Sequence, residues 1–134
     1  MGIFTLMRVI AEEITAHRDE RGEVFEPLGF EALASQRNVH VVLTKPGGVR
    51  GNHRHLYGAE IVTVYGAALV RLRDGDEIED RVVAEGCVVR FTIPPGVSHA
   101  FKNIGEQPNL LICFNTEAHD KSDPDLVRDV LIES

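Results

Sequence analysis

Three histidines and one glutamate carry the chemistry this sequence offers. His53 and His55 stand two apart in the stretch 47–66, Glu60 follows shortly, and His99 comes much later in Pro94-Pro95-Gly96-Val97-Ser98-His99. Alternate side chains of a strand share a face, so an extended backbone aims both imidazoles of the first pair the same way. Glu60 falls just past Gly58, where the chain can turn and re-enter a strand at Ile61, Val62, Val64 and Tyr65. Imidazoles with one carboxylate make a ligand set for Zn²⁺, Fe²⁺, Mn²⁺, Ni²⁺ or Cu²⁺. Four protein ligands leave a six-coordinate ion open positions for a substrate.

Positioning these groups falls to short strands. Residues 38–44 read as a strand broken by Lys45-Pro46-Gly47-Gly48. Ala68, Val70 and Leu72 alternate with Leu69, Arg71 and Arg73, a period of two with one more polar face. Asp74-Gly75 is a hairpin turn, with the return strand at 78–84. Strands at 87–93 and 109–115 follow, and Pro94-Pro95-Gly96 ends the first of them. Toward the N-terminus, 7–10 reads as a strand, Asp19-Glu20-Arg21-Gly22 as a turn, Pro27 as a strand end, and 30–36 as one helical turn or a loop. Residues 125–132 read as a short helix or a closing strand. About eight to ten short strands with turns every 8–12 residues or so predict an all-β sandwich or barrel. The expected layout is a single domain over 1–134, with a core over about 38–116, an N-terminal strand and arm over 1–37 and a tail over 117–134.

At 134 residues the chain is long enough for one real core, and a net charge of −7 disfavours nucleic acid or anionic membrane as partner. No apolar run approaches the ~18 residues of a membrane helix. The first ten residues lack the pattern of a signal peptide, so the cytoplasm is the expected compartment. Cys87 and Cys113 lie in apolar strand-like sequence and read as buried free thiols.

Two segments resemble the motifs of the cupin superfamily. Gly47, His53, His55 and Glu60 match the first motif, with Gly66 one residue early; Pro94, Gly96, His99 and Asn103 match the second, with Gly86 two residues too far upstream. The implied fold is an antiparallel jelly roll, the double-stranded β-helix. Arg50-Gly51-Asn52-His53 and Ile93-Pro94-Pro95-Gly96-Val97-Ser98-His99-Ala100-Phe101 resemble the dTDP-4-keto-6-deoxyglucose 3,5-epimerases, and the added His55 resembles the dTDP-sugar 3,4-ketoisomerases. The run 49–60, the Pro-Pro-Gly-x-x-His segment and the acidic tail 117–125 resemble the C-terminal cupin domain of the bifunctional UDP-sugar epimerase–reductase of capsular polysaccharide synthesis. The resemblance implies a homodimeric isomerase acting on a nucleotide-linked 4-keto sugar in surface polysaccharide synthesis. It implies His53, His55, Glu60 and His99 as metal ligands.

Such a reaction removes a proton α to a carbonyl and returns it elsewhere. It needs a base with pKa near neutrality and a group that stabilises the enolate oxygen. A histidine that holds a metal is not free to act as base. Either a divalent transition metal is bound and His40 or Tyr57 moves the proton, or no metal is bound and His53 or His55 does. Arg50 is the foremost candidate for a diphosphate contact, with Tyr57 and Lys102 as further substrate contacts and Arg71 and Arg90 as weaker cations. His17, His40 and His119 otherwise read as surface or structural histidines. Two rival readings use the same residues: a metal-dependent oxygenase or decarboxylase, and a sugar-binding cupin module without turnover.

Overall fold

Two antiparallel sheets enclose the core in the computed structural model, which describes residues 2–118, 122 and 124–134. Thirteen strands are seen among the described residues: β1 (Ile3–Leu6), β2 (Val9–Glu13), β3 (His17–Asp19), β4 (Gly22–Val24), β5 (Asn38–Thr44), β6 (Val49–His55), β7 (Glu60–Tyr65), β8 (Ala68–Asp74), β9 (Glu77–Val83), β10 (Val88–Ile93), β11 (Ser98–Asn103), β12 (Asn109–Asn115) and β13 (Leu126–Arg128). A single turn of helix, α1 (Phe30–Leu33), precedes β5. One sheet runs β1-β2-β10-β7-β12-β5, the other β13-β6-β11-β8-β9, and β3-β4 form a separate hairpin. The arrangement is the expected jelly roll. No helix of the described residues is long and apolar enough to cross a membrane.

The strand count exceeds the expected eight to ten because pairing partners, not composition, make the shortest strands. The strand placed at 7–10 is interrupted at its start: Met7 has φ 60 in a turn, and the chain pairs again only from Val9. Residues 125–132 resolve into β13, a closing strand, rather than a helix.

The core fills the space between the two sheets. Val62, Val64, Phe91 and Leu111 from the first sheet meet Val70, Leu72 and Phe101 from the second. The Phe91 and Phe101 rings bridge the gap with centroids 6.4 Å apart at 68°, and burying each such side chain contributes about 2–3 kcal/mol. Val9 and Ala11 are fully buried in the same cluster, so the core draws on the N-terminal arm as well as on 38–116. A smaller cluster of Leu28, Ile61 and Phe114 lies against α1.

Cys113 is buried and unpaired as expected, but Cys87 is exposed. It sits one residue before β10, in the turn that Gly86 (φ 81) makes possible. That turn, closed by Cys87 N–H donating to Ala84 O at 3.1 Å, also accounts for the early glycine of the second motif.

Candidate functional site

The two histidine-bearing segments become neighbours because β6 and β11 pair with His53 opposite His99. The pairing then slips by one: Ala100 faces Gly51 and Phe101 faces Arg50, leaving Asn52 as an extra residue on β6. Gly51 (φ 88) and Asn52 (φ 58) take the left-handed conformations this bulge requires. The bulge reverses the parity of the strand. Arg50, an odd three residues from His53, would otherwise face away from it; opposite the core residue Phe101, it faces inward.

Glu60 enters from the other sheet at the start of β7, 4% exposed. Its Oε1 lies 2.7 Å from His99 Nε2, 3.1 Å from His55 Nε2 and 3.9 Å from His53 Nε2. The His53 ring stands edge-on to both neighbours, at 4.8 Å and 88° to His99 and 5.3 Å and 75° to His55. One ligand atom from each of the four residues lies within 4.8 Å of the others.

This donor set fits a transition metal. Adjacent ligand atoms about 2.1 Å from one ion are themselves about 3 Å apart. His99 Nδ1 donates to Val97 O at 3.1 Å, which orients the ring so that Nε2 faces Glu60. That buried Nε2 has no aligned hydrogen-bond partner among the described residues, although Glu60 Oε1 is close. A shared ion would satisfy both atoms.

Burial pushes the Glu60 carboxyl up, but the three imidazoles outweigh it and hold the group far below the usual carboxylate range. His55 moves the other way: burial lowers it, and Glu60 with Asp125 raises it above the ordinary histidine value. A charged carboxylate therefore stands among the imidazoles.

Two cavities flank the cluster. The inner one, about 240 Å³, is lined by Arg50, His53, His99, Phe101 and Cys113 among others. The outer one, about 170 Å³, opens past His53, His55, Asn115 and Asp125. His40 and Glu60 line both. His40 thus belongs to the site while staying open to solvent, because even-numbered residues of β5 face inward. It also groups with Glu60 and Cys113 as possible ligand atoms. Burial, and after it the charge of Glu60, pushes the Cys113 thiol up to about 12, so a neutral thiol lies there.

Of the substrate contacts expected from sequence, the structure brings Arg50 to the site and leaves out two. Lys102 is three residues from His99 on β11, which has no extra residue of its own, so it lies on the opposite face. Tyr57 is 61% exposed on the turn after β6 and lines neither cavity. Arg71 is paired with Asp80 and Arg90 with Glu12. Arg50 has no side-chain partner among the described residues. Asn103 closes the loop after β11, donating to Thr44 O and Gln107 O and accepting from Gly105 N–H. His119 lies outside the described residues.

Asp125 was not legible as a site residue, since nothing marks it within the polar tail. Its carboxylate stands 3.4 Å from His55 Nδ1 and accepts from Tyr57 N–H and Gly58 N–H at 2.6 and 3.0 Å.

Known proteins share both sequence and fold. A family model described as the polysaccharide biosynthesis C-terminal domain matches residues 17–127. A probable low-salt glycan biosynthesis epimerase from Haloferax volcanii is 32% identical over 129 residues, 87% of this chain and 83% of that protein. The capsular polysaccharide assembling protein CapF from Staphylococcus aureus superposes with a TM-score of 0.66 at 27% identity over 88% of this chain, which spans only 33% of that protein. The sugar 3,4-ketoisomerase QdtA from Thermoanaerobacterium thermosaccharolyticum, solved with TDP, shares the fold at a TM-score of 0.73 and 20% identity, covering 93% of this chain and 90% of its own. With the family model spanning most of its length, the chain belongs to the polysaccharide biosynthesis C-terminal domain family, and its four clustered residues occupy the end of a cupin jelly roll.

Proposed function

We propose that this protein is an isomerase, an epimerase or ketoisomerase of a nucleotide-linked 4-keto sugar in surface polysaccharide synthesis. The observation that carries the reading is the convergence of three imidazoles, one buried carboxylate and a further imidazole, His40, on cavities reached by one unpaired arginine. The epimerase and ketoisomerase names of the related proteins support the same class.

In this reading His53, His55, Glu60 and His99 hold a divalent transition metal, which when bound acts as a Lewis acid for a substrate oxygen. His40 is then the proton carrier, because it lines both cavities without belonging to the four-residue ligand set. It takes a proton from the carbon α to the carbonyl, and the electron pair of that C–H bond moves into the enolate. Return of the proton to the opposite face of that carbon inverts it. Return to the former carbonyl carbon, with the neighbouring hydroxyl proton passing to the former carbonyl oxygen, shifts the carbonyl by one position. Arg50 sits where a diphosphate can meet an uncompensated cation. The apolar stripe of Val39, Val41 and Leu43 on edge strand β5, 57–68% exposed, supports a homodimer; light scattering tests it, and a monomer mass at micromolar protein excludes it.

Incubation with a nucleotide-linked 4-keto sugar in D₂O tests the activity. Uptake of deuterium at a carbon next to the carbonyl is expected, with loss of exchange in His40→Gln at unchanged metal content. Consumption of O₂ or release of CO₂ would replace this reading with the oxygenase or decarboxylase. Tight binding without exchange would replace it with a binding module.

A further inference from the structure

We propose that the C-terminal segment 124–132 is a strap that completes the site, and that its Asp125 is a positioning residue for His55. The proposal rests on the metal reading above for one of its two readouts only.

Strand β6 carries both His53 and His55, and without β13 it would be the open edge of the five-stranded sheet. β13 covers that edge in register with the histidines: Leu126 pairs with His55, Val127 with Arg54 and Arg128 with His53. The strap is then fastened at both ends. At its far end the extra residue of the bulge, Asn52, accepts from Leu131 N–H and Ile132 N–H at 2.9 and 3.1 Å and donates to Ile132 O at 3.0 Å. Asp129 N–H donates to Asn52 O at 2.8 Å. The Asp129 carboxylate accepts from Ser98 Oγ at 2.5 Å, next to His99, and pairs with Arg73. The side chain of Ile132 is buried.

At the near end, Leu56 N–H donates to Asp125 O at 3.1 Å, and the Asp125 carboxylate accepts from the Tyr57 and Gly58 amides and stands 3.4 Å from His55 Nδ1. Gly58 is held so closely that an added Cβ would stand 2.8 Å from Glu117 Cγ and 2.9 Å from Asp125 Oδ2. One carboxylate thus fixes both the turn that leads to Glu60 and the ring of His55, whose other nitrogen faces Glu60. A carboxylate on the far nitrogen of a ligating histidine sets its orientation and raises its basicity.

The test compares the full chain with Asp125→Asn and Asp129→Asn. In Asp125→Asn the side-chain amide leaves one acceptor where two backbone amides and the His55 ring converge. Asp129→Asn loosens the far end of the strap without touching His55. In metal-free protein, the imidazole ¹⁵N shifts of His55 are expected to move in Asp125→Asn while those of His53 and His99 stay. Affinity for Co²⁺ is expected to fall about 10–100-fold in Asp125→Asn and to stay within about twofold in Asp129→Asn. Unmoved His55 shifts overturn the proposal, as does an equal loss of Co²⁺ affinity in both variants, which would make the strap a fastening and nothing more. If the unaltered chain binds no Co²⁺, the metal reading fails, and the nitrogen shifts alone decide the role of Asp125. Should Asp125→Asn not fold, Asp125→Ser, which keeps one acceptor for the turn, is read the same way.

Discussion

Replacing Glu60 by alanine lowers turnover on the order of 10³-fold, the scale lost with a main electrostatic contributor to an enolate-like transition state, and on the proposed metal reading it takes away one of the four ligands of the ion. Glu60 Oε1 is the point on which all three imidazoles converge, at 2.7, 3.1 and 3.9 Å. No other carboxylate of the described residues joins this four-residue set. The effect on stability separates the metal-bound case from the metal-free one through its pH dependence. In metal-free protein the variant loses a buried acceptor, about 1–3 kcal/mol. Much of that loss comes from charged His55, whose pKa is raised above its ordinary 6.5 in the fold. Stabilisation from a raised histidine is fully present below the unfolded value and disappears as pH rises through the folded one. In metal-free protein the penalty of Glu60→Ala therefore shrinks as pH rises from 6.5 through the raised folded-state value of His55. With metal present the trend reverses, because ligands bind best when deprotonated. Thermal melts of both proteins across that range, with and without chelator, check this. Parallel curves with and without chelator would remove the metal from the account.

The four clustered positions were legible because each is fixed by local rules. His53 and His55 share a face by the period of two, Gly58 permits the turn to Glu60, and Pro94-Pro95-Gly96 sets the start of the strand that carries His99. The β8–β9 hairpin was equally plain in its alternation and its Asp74-Gly75 turn. What local rules do not carry is parity across a bulge and the partners of distant segments. Arg50 reaches the interior only because Asn52 is extra, and Lys102 fails to reach it because β11 has no such residue. A sequence signal for the bulge does exist: glycine followed by asparagine is a pair that tolerates the left-handed region. His40 needed the knowledge that β5 closes on β12 with Cys113 opposite it. Asp125 acquires its role from a pairing made about 70 residues away in sequence from His55, and the polar composition around it carries no trace of that pairing.

Gly51→Ala destabilises the protein by about 2–4 kcal/mol, whereas Gly75→Ala costs about 1 kcal/mol. Both glycines have positive φ, +88 and +62, so both substitutions strain the backbone. They differ in surroundings. A Cβ on Gly75 meets nothing within 4 Å; one on Gly51 would stand 2.7 Å from His99 O and 3.2 Å from Ala100 Cα. Those are backbone atoms of β11, which is held on its other side by the full β8 ladder and cannot turn aside as a flexible side chain can. The strand that yields is β6, and it carries His53 away from His99. For a chain of this size each kcal/mol shifts Tm by about 3–5 °C, so Gly51→Ala is expected to melt roughly 10 °C lower and, on the proposed metal reading, to bind metal poorly even where it remains folded. Equal Tm losses in the two variants would show that backbone strain alone governs both sites. A Gly51→Ala protein with undiminished metal content would show that β6 and β11 tolerate separation, and the bulge would then not be what holds the histidines together.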